Sequence, residues 1–183
     1  MFIETQSTPN PATLKFLPGR AVMAEGVLDI ADAQGAEASP LAERLFAAGP
    51  VSRVFLGPDF ISVTLEDGDW TQAKPAILGA IMDHFLAGDP VLRADAALSG
   101  HDAYEGENAE IVEEIKEILD TRVRPAVAQD GGDIVFHAFR DGIVYLHMRG
   151  SCSGCPSSTL TLKRGIENML KQYVPEVAAV EAV

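Results

Sequence analysis

Apolar positions recur along this chain in two rhythms, one of period two and one near 3.6, and the two alternate from end to end. The period-two runs predict strands. "MFIETQ" and "ATLKFLP" flank the turn-rich "STPNP" and read as a hairpin-like pair. "VSRVFLGPDFISVTLE" is two β-rich runs broken at Gly57-Pro58-Asp59, a second hairpin. "IVFHAF" and "IVYLHM", preceded by the turn "QDGGD" and joined by "RDG", make a third. "PEVAAVEAV" closes the sequence as a final strand.

The helical rhythm fills the gaps. "SPLAERLFAAG" offers Ser39 as N-cap, Pro40 at the first helical position, Leu41, Leu45 and Phe46 on one stripe, and Gly49 as a stop. "DWTQAKPAILGAIMDHFLAG" has Asp69 as cap and Ile77, Ile81 and Phe85 on one face. In "NAEIVEEIKEILDTRVRPAV", capped by Asn108, the stripe is Ile111, Ile115, Ile118 and Leu119, and Pro125 should kink or end the helix. "SSTLTLKRGIENMLKQYV" carries Leu162, Ile166, Met169 and Tyr173. The class that follows is α+β: two small α/β-type domains, each a small mixed sheet packed with helices, joined by a flexible linker.

Charge places the boundaries. Residues 1–88 carry net −6, residues 89–107 net −4 and residues 108–183 net −3. The middle piece, "DPVLRADAALSGHDAYEGE", is poor in large apolar residues and holds no periodicity, so it reads as an acidic linker between domains at 1–88 and 108–183. The whole chain, 183 residues with formal net charge −13, has no broad basic face for nucleic acid and is repelled by anionic membranes. No stretch approaches the roughly 20 apolar residues of a membrane span. "MFIETQSTPNP" has neither the charged and apolar regions of a secretory signal nor an Arg-rich transit sequence, so a reducing cytoplasm is expected. There, a close cysteine pair points to metal binding or catalysis rather than a structural disulfide.

Such a pair exists. "RGSCSGCPSST" holds the chain's two cysteines, Cys152 and Cys155, between a predicted strand and a predicted helix. Gly150 and Gly154 permit a tight turn that exposes amides, and Pro156 suits the first position of a helix. Cys155 then becomes the N-cap, and thiolates facing the positive helix end are expected to have lowered pKa values. Four chemistries fit the pair: buried structural thiols, a thioredoxin-type redox couple, zinc, or an iron–sulfur cluster. A Gly/Ser/Pro-rich loop is a poor place to bury thiols, and a hairpin strand before the loop argues against the βαβ setting of the redox couple. Zinc and a cluster both want about four ligands.

The histidines do not complete the set. His137 and His147 fall inside predicted strands as sheet-face residues, His84 lies in a helix and His101 in the linker, none at ligand spacing from the thiols. A four-ligand site therefore needs a second chain, so that two protomers pool their thiolates about a two-fold axis. Asp130 and Asp133, flanking Gly131-Gly132, read as turn residues rather than iron handlers. Lys163 and Arg164 read as a solvated helix face rather than a guide for acidic clients, and Phe60 and Trp70 as core rather than partner anchors.

With these residues quoted, "DGGDIVF" followed by "GSCSGCPSSTLTLKRGIENMLKQYVPEV" resembles the C-terminal domain of the NifU family. "TPNPATLKFLPG", "SPLAERLF", "VFLGPDFISVT" and "DW…KP" resemble the N-terminal domain of Nfu-type proteins. The resemblance implies an iron–sulfur cluster scaffold or carrier, not an enzyme. Cys152 and Cys155 of each protomer would bind a [4Fe-4S] cluster bridging a homodimer. Its partners would be apo iron–sulfur clients and upstream assembly factors, with no nucleic acid and no membrane. The domain order matches the mitochondrial and alphaproteobacterial type, and a bacterial cytoplasmic location is expected, with a mature matrix form as the variant. The alternative from another class is a thiol–disulfide oxidoreductase using the same pair. Amides around Gly150, Ser153 and Gly154 are expected to hydrogen-bond the bound sulfur.

Overall fold

Ser39 and Asp69 start their helices as the pattern predicts. Ser39 Oγ accepts from the Ala42 amide at 3.1 Å, and Asp69 accepts from the Thr71 amide at 3.0 Å. The computed structural model in which they do so describes residues 1–98, 100–154 and 156–183, with Pro156, Ser157 and Ser158 described as backbone alone. It divides into two compact units, Met1–Ser99 and Gly100–Val183.

The first unit contains β1 (Glu4–Ser7), β2 (Thr13–Leu17), β3 (Leu28–Ile30), α1 (Pro40–Ala47), β4 (Val51–Leu56), β5 (Ile61–Leu65) and α2 (Trp70–Ala87). Its sheet has the order β1-β2-β5-β4-β3, antiparallel at every pairing. The edge strand β3 is three residues long, too short to announce itself by alternation. Leu41 and Leu45 of α1 and Ile77 and Ile81 of α2 share one fully buried cluster with Phe16, Val54, Ile61 and Val63. Phe60 is core, and Trp70 packs against the same cluster with its ring 5.9 Å from that of Phe16.

The second unit contains α3 (Ala109–Ile118), a π-helical turn at Leu119–Val123, α4 (Arg124–Gln129), β6 (Gly132–Arg140), β7 (Ile143–Gly150), α5 (Pro156–Tyr173) and β8 (Ala179–Ala182). Here the sheet is mixed: β6 and β7 are antiparallel, and β8 returns parallel to β7 after α5. Asp141 and Gly142, both at positive φ (51° and 76°), form the two-residue turn of the β6–β7 hairpin. Pro125 does not end the helical run. The preceding residues widen into the π turn, which accommodates a residue that cannot donate and whose ring crowds the turn before it. On α5 the buried stripe is Ile166 and Leu170, with Leu162 and Met169 partly covered. Tyr173, expected on that stripe, is exposed and carries the Arg122 guanidinium over its ring.

Within the segment expected to form the linker, 89–107, several residues bond to one unit or the other. Ser39 Oγ donates to the Val91 carbonyl at 2.6 Å, Arg93 pairs with Glu43, and Val91 and Leu92 pack on the first core. Beyond the division, the Asp102 amide donates to the Phe136 carbonyl at 2.9 Å, and the ring of Tyr104 meets Phe136 edge-on. Regular structure is lacking over the described residues of this segment, as the missing periodicity predicts.

Two outcomes follow for the first unit. Ser39→Ala removes both a cap and the donor to Val91, so it should cost about 1–2 kcal/mol, read by urea unfolding followed through Trp70, the chain's one tryptophan. His84 is fully buried with neither ring nitrogen hydrogen-bonded among the described residues, and burial, aided by the Arg44 charge, holds its pKa below the ordinary value. The folded state therefore favours neutral His84. This unit's stability should hold above pH about 6.5 and decline below it as the unfolded chain takes up the proton. His84→Leu should flatten that decline in the same urea experiment.

Candidate metal centre

The cysteine loop begins where β7 stops. Gly150 pairs with Gly132 at the end of the β6–β7 ladder and turns at φ 60°. The backbone then closes on itself: the Cys152 amide donates to the Arg149 carbonyl at 3.3 Å and the Ser153 amide to the Gly150 carbonyl at 3.1 Å. The preceding turn supplies the other anchors, because the Ser151 amide donates to the Gly131 carbonyl and Ser151 Oγ donates to the Asp130 carbonyl. From α5, Thr159 Oγ1 donates to the Cys152 carbonyl at 3.2 Å. Pro156 opens α5 as expected. Cys155, expected at the N-cap, lies outside the described residues.

Cys152 contradicts two expectations. It is buried, 6% exposed, and belongs to the apolar cluster of the second unit. Its thiol pKa is pushed up to about 12, first by burial and then by the charge of Asp130, with a hydrogen bond to Ser151 working the other way. Room for the sulfur comes from Gly132, where a Cβ would stand 2.4 Å from Cys152 Sγ. The "GGD" turn and the cysteine loop, twenty residues apart, thus form one packed unit.

The aspartates separate. Asp130 presents its carbonyl to Ser151, as a turn residue would. Asp133 is 3% exposed and accepts from Arg124 Nε and Nη2 at 2.8 and 3.0 Å. It therefore does more than make a turn: it ties α4 to the start of β6. Burial opposes the Arg124 charge, but the bonds to Asp133 and Asp120 outweigh it and hold the guanidinium above its ordinary pKa. Asp120 also meets His101 Nε2 at 2.9 Å, and His101 Nδ1 accepts from the Phe136 amide at 2.7 Å. No sequence signal announced this chain of partners, because its members lie on three elements and a loop. Lys163, read as a solvated face residue, is paired with Glu181 at 2.8 Å, while Arg164 is exposed. The amide of Ser153, expected to face bound sulfur, is committed to Gly150.

One further expectation fails. The loop does lie in a β–α–β unit, β7–α5–β8. The hairpin before it and the parallel strand after it coexist because β7 is the central strand and pairs on both edges. Among the described residues, no trio of His, Cys, Asp and Glu close enough to hold an ion includes Cys152.

A strand–thiol loop–helix unit of this kind, joined to a separate antiparallel α+β unit, defines the class of protein, and comparison with known proteins agrees. Residues 115–181 match the NifU-like domain, and residues 3–88 match the family described as scaffold protein Nfu/NifU N terminal. The chain is 50% identical over 185 residues to the human protein named NFU1 iron-sulfur cluster scaffold homolog, mitochondrial, covering all of this chain and 72% of that one. It is 49% identical to the protein of the same name from Drosophila ananassae, covering 64% of it, and 50% identical to NifU-like protein 4, mitochondrial, from Arabidopsis thaliana, covering 65% of it. The chain belongs to the Nfu/NifU family.

The packing of Cys152 on Gly132 has a measurable consequence. In a Cys155→Ser background, alkylation of Cys152 by iodoacetamide should keep rising with pH beyond 9 without a plateau, because each pH unit below the pKa lowers the thiolate fraction about tenfold. Gly132→Ala should destabilise the second unit by about 1–3 kcal/mol through overpacking and speed alkylation at pH 8. An alkylation plateau near pH 9 in the unsubstituted turn would show that the sulfur is not held inside.

Proposed function

We propose that this chain is an iron–sulfur cluster scaffold and carrier rather than an enzyme. Two protomers bring their Cys152–Cys155 loops together, hold one [4Fe-4S] cluster by four thiolates, and surrender it to the thiolates of an apo-protein. The single observation that carries this reading is the placement of Cys152. It sits in a loop fixed by backbone hydrogen bonds at the end of the central strand, with no set of its own chain's described carboxylates or imidazoles near enough to complete a site. A family whose relatives are named iron–sulfur cluster scaffolds supports the same assignment.

The cargo chemistry fits. Thiolates are the common ligands of iron–sulfur clusters, and two chains with two cysteines each supply four. Leu160, half-exposed in the early turns of α5, offers apolar surface beside the loop for a second protomer. A cluster held across such a junction is shared by two chains and enclosed by neither, so client thiolates can displace its ligands stepwise. Binding of iron by the Cys152 sulfur would release the thiol proton.

The first unit is a docking module in this reading, tethered to the second so that a client held by one is presented to the other. Free thiols suit a reducing compartment, whether bacterial cytoplasm or mitochondrial matrix. The thiol–disulfide oxidoreductase reading gains the β–α–β setting, but Cys152 is buried, 6% exposed, and poorly presented to a disulfide substrate.

Anaerobic reconstitution with iron and sulfide should load about four irons per dimer and convert the protein to a two-chain species on size exclusion. Cys152→Ser or Cys155→Ser should abolish cluster retention while the far-UV circular dichroism stays unchanged. Failure to take up iron, together with dithiol turnover, would sink the carrier reading.

A further inference from the structure

The outer face of the second sheet carries a side-chain cluster that the thiol site does not use. Asp102, His137 and His147 each offer a ligand atom, and these atoms all lie within 4.8 Å of one another. His137 Nδ1 is 2.6 Å from Asp102 Oδ2, His147 Nε2 is 3.6 Å from the same oxygen, and the two imidazole centroids are 4.5 Å apart. We propose that these three residues form a second metal site, which binds one divalent transition-metal ion of the Fe2+-to-Zn2+ series independently of the cysteines.

The backbone assembles the cluster. His137 is the extra residue of a β-bulge: Phe136 pairs with Leu146 and Ala138 with Tyr145, leaving His137 without an opposite partner. Bulges re-aim side chains in this way. His147 stands opposite Val135 on the neighbouring strand, two residues before the bulge. Asp102 is delivered by the segment ahead of α3, whose amide donates to the Phe136 carbonyl at 2.9 Å. Three separate stretches of chain therefore converge.

The orientation of His147 suits a shared cation. Its Nδ1 lies 3.3 Å from the backbone oxygen of Val183, and its Nε2 is the nitrogen that faces Asp102. A ligating imidazole that donates its other N–H to a carbonyl is the usual outer support of a metal site. For bonds of about 2.0–2.1 Å, tetrahedral donors stand roughly 3.3 Å apart, between the two distances found here. Two imidazoles and one carboxylate suit Fe2+, Co2+ and Zn2+, whereas thiolates draw softer partners. The side chains are 34–45% exposed, so water can fill the open positions.

The test uses the full chain, without an affinity tag of histidines, carrying Cys152→Ser and Cys155→Ser to remove the thiol site. Titration with Co2+ should give one equivalent bound per chain, with d–d absorption and no sulfur charge-transfer band, and Zn2+ should displace it. Asp102→Asn or His147→Ala should weaken binding at least about tenfold. Should either variant lose its fold, imidazole 15N spectra of the parent decide. One equivalent of Zn2+ should shift the His137 and His147 resonances and leave His84 and His101 in place. Absence of Co2+ and Zn2+ binding, shifts confined to His84 or His101, or full affinity in both folded variants would overturn the site.

Discussion

The second unit depends on a missing carbon. Cys152 Sγ occupies the space that any side chain at position 132 would need. The contact accompanies the Gly132–Gly150 pairing of the ladder and the hydrogen bonds from Ser151 to Asp130 and Gly131, which together hold the turn after α4 against the loop after β7. A glycine at the start of β6 is not there for a turn alone; the φ that demands glycine belongs to its neighbour Gly131, at 76°. The pair thus divides two tasks, one conformational and one steric. The consequence for chemistry is that the loop fixes the thiol in place and the same burial pushes its pKa up.

The polar partners of this arrangement radiate from Arg124. Its guanidinium bridges Asp133, at the entrance to β6, and Asp120, in the π turn, and Asp120 in turn orients His101 against the edge of the sheet. A π turn is often found where a helix serves a site rather than only a core. Here Arg124, directly after the π turn, reaches a 3% exposed carboxylate two residues past Gly131, an anchor of the thiol loop. The buried Asp133 charge is tolerated because two guanidinium nitrogens meet its two oxygens.

The first unit rests on a different economy. Its core is a closed cluster of aliphatic and aromatic side chains, and its polar specialities are caps, turns and surface pairs such as Arg53 with Asp29. Among its described residues, no cluster of metal ligands forms. The segment after α2, Val91 to Arg93, is fastened to α1 through Ser39 and Glu43, so the cap that starts the helix also holds the chain that follows α2.

Local chemistry was legible in the residues: the caps Ser39 and Asp69, the Asp141–Gly142 hairpin, Pro156 opening α5 and the amphipathic helices all follow from propensities that act within one turn of chain. The thiol pair was legible too, as a motif in a defined strand-to-helix context. What the sequence could not carry was the environment of that pair. Burial of Cys152, the role of Asp133, the misplacement of Tyr173 and the β–α–β return through β8 are long-range facts, set by which residues the sheet brings face to face. The same holds for Asp102, His137 and His147. Their spacing along the chain says nothing, and only a bulge and a cross-strand register make them neighbours. Propensity is a property of neighbours in sequence; a pKa or a ligand set is a property of neighbours in space.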